Sequence, residues 1–192
     1  MKRLQLQNRI LVVLFLFLGT TSFLFSQELE GENFKRNKLS FLMAYGIIPE
    51  HTSEDDNTSN SLFIVPTIGV NYDFLFTPKI GLGLHTDVIL QKFVVEELKD
   101  DLKVERVFPI TTNLMASFRP IENWTFLAGG GVELETNKSY PMICLGVDHG
   151  IELNESWELG FSFMFEHRLQ AYNSYLLGIG FTKSLGKNIQ YE

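Results

Sequence analysis

A single cysteine, Cys144, leaves the 192-residue chain no internal disulfide. Its stability therefore has to come from packing and hydrogen bonds, even in an oxidising compartment. Charge is also scarce: 20% of the residues are Asp, Glu, Lys or Arg, against about a quarter in a typical soluble domain. Six prolines and fifteen glycines exclude a collagenous chain, and the ordinary apolar content excludes a disordered one. The uninterrupted apolar run at residues 10–18 falls well short of the ~20 residues that a membrane-spanning helix needs. Gly129-Gly130-Gly131 lacks the following Lys-Ser/Thr of a phosphate loop. No cofactor and no metal site is expected.

What is present begins with that apolar run. Lys2, Arg3 and Arg9 precede it, and Gly19, Thr20, Thr21 and Ser22 follow it before Ser26-Gln27. The pattern is that of a secretory signal peptide over residues 1–26, with cleavage near Ser26. Removing it leaves 13 basic against 23 acidic residues, a formal charge of −10. An exported chain this acidic is not built for nucleic acid, whose phosphates demand clustered Lys and Arg.

From Lys38 onward apolar residues recur with period two, the signature of half-buried strands. Ile68, Val70, Tyr72, Phe74 and Phe76 share one face, opposite Thr67, Gly69, Asn71 and Asp73. After the short connection Thr77-Pro78-Lys79, residues Ile80, Leu82, Leu84, Val88 and Leu90 oppose Gly81, Gly83, His85, Asp87 and Gln91. The same test predicts eight strands, at 39–48, 66–76, 80–94, 109–119, 124–135, 141–152, 157–168 and 174–185. Short connections alternate with longer, more polar ones at 49–65 and 95–108. All six prolines fall at strand ends in this scheme, where the missing N–H costs the ladder nothing. Within the second long connection, Val94, Val95, Leu98 and Leu102 also fit a short amphipathic helix over 94–103.

Eight alternating strands make a barrel with either face outside, and volume decides between the two. An eight-stranded barrel has an interior just wide enough to be filled by side chains. The apolar face carries Leu39, Phe41, Met43, Tyr45, Leu114, Phe126, Phe161, Phe163 and Leu177, among others, too much bulk for such an interior. The opposite face, rich in Gly, Ser, Thr, Asn and acidic residues, fits a narrow polar core. An apolar exterior of this extent is a liability in water and an asset in lipid. Large aromatics gather towards the strand ends: Tyr72, Phe74, Phe76, Phe118, Trp124, Trp157 and Phe181 near the short turns, and Tyr45, Phe108, Phe165 and Tyr175 near the opposite rim. Two such girdles are the expected mark of a transmembrane barrel.

With this leader, strand rhythm, girdle pair and alternation of connections, the chain resembles the small eight-stranded outer-membrane β-barrel proteins of Gram-negative bacteria. The resemblance implies an all-β, antiparallel up-and-down barrel over 38–186, a periplasmic segment at 27–37 and a tail at 187–192. It implies periplasmic termini, with 49–65, 95–108, 136–140 and 169–173 facing outward from the cell. It also implies surroundings of outer-membrane lipid and lipopolysaccharide, and contact with the outer-membrane assembly machinery, which reads a terminal aromatic; here Tyr191 is penultimate.

Interior parity collects a polar network of His85, Asp87, Asn113, Arg119, Glu133, Glu135, Asp148, Glu166 and Arg168, joined by Asp73, Glu152 and Glu158. His85, Asp87, Asn113 and Ser117 fit a nucleophile and base only loosely; side chains that satisfy one another's hydrogen bonds are the simpler account. Glu166-His167 lies near the outer rim. The lipid A acyl hydrolases, which share this architecture, carry a serine two residues after a rim histidine, and Leu169 stands there instead. Glu54, Asp55 and Asp56 read as a solvated acidic loop, Asn57-Thr58-Ser59 as a chance glycosylation match, and Cys144, beside Met142 and Gly146, as a small core filler. The expectation is a structural or surface-interaction protein with a largely plugged interior and no catalysis. Its rivals are a narrow channel for small solutes or ions, a lipid A-modifying hydrolase at the outer rim, and a soluble lipocalin-like carrier.

Overall fold

Alternation of apolar and polar residues is realised as strand throughout the computed structural model, which describes residues 33–49, 62–96, 103–136, 138–169 and 171–190. The leader at 1–26, the acidic stretch with Glu54, Asp55 and Asp56, the Asn57-Thr58-Ser59 triplet and Tyr191 lie outside the described residues. Four strands come first: β1 (Asn33–Phe34), β2 (Asn37–Pro49), β3 (Leu62–Leu75) and β4 (Ile80–Ile89). A short pair follows, β5 (Lys92–Glu96) and β6 (Lys103–Val107), and then β7 (Ile110–Ile121), β8 (Trp124–Leu134) and β9 (Tyr140–Asn154). The chain ends with β10 (Trp157–Arg168), β11 (Asn173–Leu185) and β12 (Ile189–Gln190).

Eight of these close into an antiparallel barrel in the order β10-β11-β2-β3-β4-β7-β8-β9, β9 returning to β10. The first and last barrel strands, β2 and β11, pair from Asn37↔Leu185 to Ile47↔Tyr175. Closure of this kind leaves no sheet edge, so every ladder hydrogen bond is made within the wall. Beneath it, β1 and β12 pair as Asn33↔Gln190 and Phe34↔Ile189, tying the two terminal segments together at the end that carries the short turns.

Those turns are set by side chains. Thr77 Oγ1 accepts from the backbone N–H groups of Lys79 (3.2 Å) and Ile80 (2.9 Å). Asn154 Oδ1 does the same for Ser156 (3.0 Å) and Trp157 (3.1 Å). Both are local devices by which Thr and Asn reverse a chain. The opposite, loop end is built differently. The 80–94 segment does not continue as one strand: β4 stops at Ile89, and β5 and β6 form a separate hairpin with register Lys92↔Val107 to Glu96↔Lys103. Val94 and Val95 are therefore in a strand and not in a helix. Adjacent β-branched valines suit a pleated surface, and alternation puts Phe93 and Val95 inside and Val94 outside. At the return to β7, Phe108 adopts a φ of 47°, a left-handed conformation that costs a non-glycine residue roughly 1–2 kcal/mol.

One proline departs from its expected place. Pro66 lies four residues inside β3, in register with Tyr45 of β2. It is tolerated because its carbonyl points towards β4, accepting from Leu90 N–H at 2.8 Å. The missing N–H points the same way, where the β3–β4 ladder has just ended at Thr67↔Ile89.

The apolar face is the outer one. Met43 and Tyr45 are about 60% exposed, and Phe41, Leu84, Leu114, Phe126, Leu145, Phe161 and Leu177 are exposed likewise. This is the reverse of a lipocalin-like carrier, whose apolar residues line the inside. The interior, however, is not uniformly polar. Leu42, Ala44, Met115, Leu127, Met142, Cys144, Met164 and Leu176 form a buried apolar cluster inside the barrel. A second cluster under the hairpin joins Ile48, Val65, Ile89, Phe93, Val95, Tyr140, Ala171 and Tyr172.

Candidate functional site

The loop end of the interior is organised around Glu133. Alternation along β8 points it inward, where it is fully buried. Arg106 Nη2 donates to its Oε1 at 2.5 Å, Arg168 Nε donates to Oε2, and the Tyr172 hydroxyl donates to the same oxygen at 2.7 Å. Arg168 also reaches Glu166 Oε2 (2.9 Å) and Ser174 Oγ (2.7 Å) and lies over the Tyr172 ring. Arg106 comes from the hairpin, not from the wall. It extends into the mouth to Glu135 (3.2 Å) and the Lys138 carbonyl (2.6 Å), over the Tyr140 ring. Burial pushes the Tyr172 phenol well above its ordinary value, so it stays a donor to Glu133. Buried charges need partners, and here Glu133, Glu135 and Glu166 each have at least one arginine.

The turn end is wetter. Lys38 donates to Glu158 at 3.0 Å, and Arg119 lies 3.6 Å from the same carboxylate. Arg119 Nε also donates to Thr125. His85 Nε2 pairs with Asp73 at 3.0 Å, and Ser162 donates to Asp148 at 2.5 Å. These groups line a cavity of about 80 Å³, and a vestibule of about 330 Å³ shares Lys38, Arg119 and Glu158 with it. Several carboxylates lie flat across the neighbouring strand, in space that only glycine leaves: Asp73 over Gly83, Asp87 over Gly69 and Glu158 over Gly150.

All nine residues of the expected polar network, His85, Asp87, Asn113, Arg119, Glu133, Glu135, Asp148, Glu166 and Arg168, thus lie inside the wall or at its mouth, but not as one network. Glu133, Glu135, Glu166 and Arg168 belong to the loop-end cluster, and His85, Arg119 and Asp148 to the turn end. Between them stands an apolar belt contributed by six of the eight strands, with Leu42 and Leu127 on the border of the turn-end cavity, while the inward face of β3 and β4 stays polar at Asn71, His85 and Asp87. His85 turns to Asp73 rather than Asp87, so the nucleophile-and-base arrangement is not assembled. Glu152 is exposed at the vestibule. Periodicity passed over Lys38, Arg106 and Tyr172. Lys38 shares parity with Ser40, which was a usable signal; Arg106 sits in a charged stretch that reads as loop, and Tyr172 in a connection, where parity says nothing.

No protein-family model matches the chain at a significant level, and neither does any curated relative. Solved structures do. The chain is similar to the crystal structure of Ail, the attachment invasion locus protein of Yersinia pestis, at 12% identity and a TM-score of 0.50, over 78% of this chain and 99% of that one. It is similar to the outer membrane protein OprG from Pseudomonas aeruginosa at 11% identity and a TM-score of 0.52, over 81% and 99%. The fold is that of the small eight-stranded outer-membrane β-barrels.

On this barrel the aromatics line up by height. At the turn end Tyr72, Phe76, Trp124, Trp157 and Phe181 are exposed, with Phe74 and Phe118 half-buried. Phe74 meets Phe76 edge-on at 5.4 Å, and Lys183 lies over Trp157. Towards the loop end, Tyr45, Phe108 and Tyr175 are exposed, and Phe165 packs on Tyr175 at 5.3 Å. The rim histidine of the barrel is engaged: His167 Nδ1 and Asn173 Oδ1 are 2.6 Å apart on the outward face. Ser174, the next residue, points inward to Glu166. Nucleophile and base are therefore on opposite sides of the wall. Among the described residues no three His, Cys, Asp or Glu side chains converge as a metal site would need.

Proposed function

We propose that this chain is an integral outer-membrane protein of a Gram-negative bacterium, with termini and short turns in the periplasm and the loop end at the cell surface. Its role is structural or surface-interacting, without catalysis or conduction, and the outer-membrane assembly machinery inserts it. The observation that carries this reading is the pairing of a lipid-compatible exterior with an interior closed twice, by the Glu133 cluster and by the belt of Leu42, Met115, Leu127 and Met164. The aromatic girdles then mark the two membrane interfaces. A belt of this kind repels water and ions, and eight strands leave no lumen around it.

Ail has been solved with the heparin analogue sucrose octasulfate. A polyanion of that kind suits this chain poorly, because acidic residues outnumber basic ones by 23 to 16. A surface partner is therefore better sought among neutral or cationic molecules. A narrow passage is the second reading, favoured by the polar cavity and vestibule at the turn end; it requires the belt to open. Two measurements on the folded protein test the first reading. The barrel should run at a different mobility before and after boiling in detergent, and planar bilayers containing it should show no discrete conductance steps. Identical mobility would remove the membrane-barrel reading, and reproducible steps would replace the plugged barrel by the channel.

A further inference from the structure

Charges on the rim of the turn end are sorted by side. Arg36 precedes β2, Lys183 is on β11 and Lys187 follows it, and all three are exposed. Lys35, before β2, and Lys79, in the β3–β4 turn, belong to the same side. The acidic residues Glu122, Glu152 and Glu155 are exposed on the β7–β8 turn, on β9 and on the β9–β10 turn. Around the barrel β11, β2, β3 and β4 are consecutive, and so are β7, β8, β9 and β10. One half of the rim is therefore basic and the other acidic, in a chain that is acidic overall. Two of the basic residues are engaged elsewhere: Lys35 Nζ donates to the Glu155 carbonyl (3.2 Å) and Ser156 Oγ (2.6 Å), and Lys79 borders the interior cavity. Arg36, Lys183 and Lys187 make no ion pair with a carboxylate of the described residues.

Lys183 lies on the outer face of the wall. Register sets Trp157, Lys183, Leu39 and Tyr72 side by side in one row, with the Lys183 ammonium 5.1 Å from the Trp157 ring. The next row towards the membrane centre, Leu159, Phe181, Phe41 and Val70, is wholly apolar. Lys183 thus stands at the first polar step below the apolar coat, the depth of a lipid phosphate. One step further down, Asn37 accepts from the Tyr72 hydroxyl at 2.6 Å through Oδ1, which leaves its amide nitrogen to donate. An ammonium, an amide N–H and the guanidinium of adjacent Arg36 are all donors, and two are cations. An anion with hydrocarbon chains suits both rows, whereas a zwitterionic lipid brings a cation of its own into a basic sector and gains less. We propose that this side of the turn end binds an anionic phospholipid of the phosphatidylglycerol class, its phosphate between Lys183, Asn37 and Arg36 and its chains along Phe181 and Phe41. The proposal rests on the membrane reading above and adds the lipid class and its place on the barrel.

The chain supplies its own probes, because its two tryptophans fall in opposite halves: Trp157 beside Lys183, and Trp124 on β8. The folded protein, carrying Trp124→Phe or Trp157→Phe so that one indole remains, is placed in phosphatidylcholine vesicles. These contain a minor fraction of either brominated phosphatidylglycerol or brominated phosphatidylcholine, whose bromine quenches a neighbouring indole. At low ionic strength Trp157 should report phosphatidylglycerol enriched about fivefold over its bulk fraction, the factor expected of one cation at a membrane surface. The enrichment should fade in about 1 M salt, and Trp124 should report none. Lys183→Gln combined with Arg36→Gln should remove the enrichment at Trp157 while the mobility shift on boiling is kept. Trp124→Tyr replaces Trp124→Phe if the latter does not fold. Equal enrichment at both tryptophans, none at Trp157, or enrichment that survives salt or the double substitution would overturn the proposal. Absence of quenching at either tryptophan by either brominated lipid would instead remove the membrane reading beneath it.

Discussion

At the loop end Glu133 is enclosed by two guanidinium groups and a phenol and is fully buried. At the turn end Glu158 meets Lys38 and Arg119 with 19% of its side chain still exposed. The two ends use the same residue types and differ in solvent. In the dry half each partner is obligatory, because a buried charge that loses its counter-ion has nothing to replace it. In the wet half water stands in, and ion pairs of similar length hold much less free energy. The apolar belt lies between these regimes.

The sharpest way to break this contrast is to remove its two centres in turn. Glu133→Ala leaves Arg106 and Arg168 facing each other in the core and should destabilise the barrel by about 3–5 kcal/mol, read as the shift in a denaturant midpoint in lipid vesicles. Arg106→Ala acts on the same cluster, but Glu133 retains Arg168 and Tyr172, so the expected loss is smaller, about 3 kcal/mol. Its signature is local: hydrogen exchange should quicken in β5 and β6 while β9, β10 and β11 stay protected. Leu127→Ala thins the belt and should cost about 2–3 kcal/mol, the low part of the range for such a deletion, since Met115 and Met164 can bend into the gap. Glu158→Gln, the turn-end counterpart of the first change, should cost about 1 kcal/mol or less. If Glu158→Gln proved as damaging as Glu133→Ala, solvent would not be what separates the two halves.

The wall of the barrel was legible because every strand repeats the same instruction. Phe161, Phe163 and Phe165 alternate with Ser162, Met164 and Glu166, and a single slip in register would turn all of them over. Volume then decided which side faced out. The belt was harder to see for the same reason: Leu42, Met115, Leu127 and Met164 share parity with the polar interior residues, one or two to a strand, and meet only when the barrel closes. Division of the polar residues into two clusters depends on register and curvature: the β3–β4 register sets Asp73 diagonally to His85, and the curved wall brings Glu133 of β8 to Arg168 of β10. Arg106 and Tyr172 were out of reach of periodicity because connections have no period. The place of Pro66 depended on where its neighbour strand ended, and the valines at 94 and 95 satisfied either a helix or a hairpin until Glu105 and Val104 were placed opposite.

Adjacent residues on β7 give the most direct test of the account, since Leu114 faces outward and Met115 into the belt. With Cys144→Ala as background, single cysteines at these two positions would be labelled with a small fluorophore, and the folded barrel placed in vesicles containing brominated lipid. Strong quenching at 114 and little at 115 is the predicted result. Equal quenching at both, or the reverse order, would contradict an apolar coat around a sealed core.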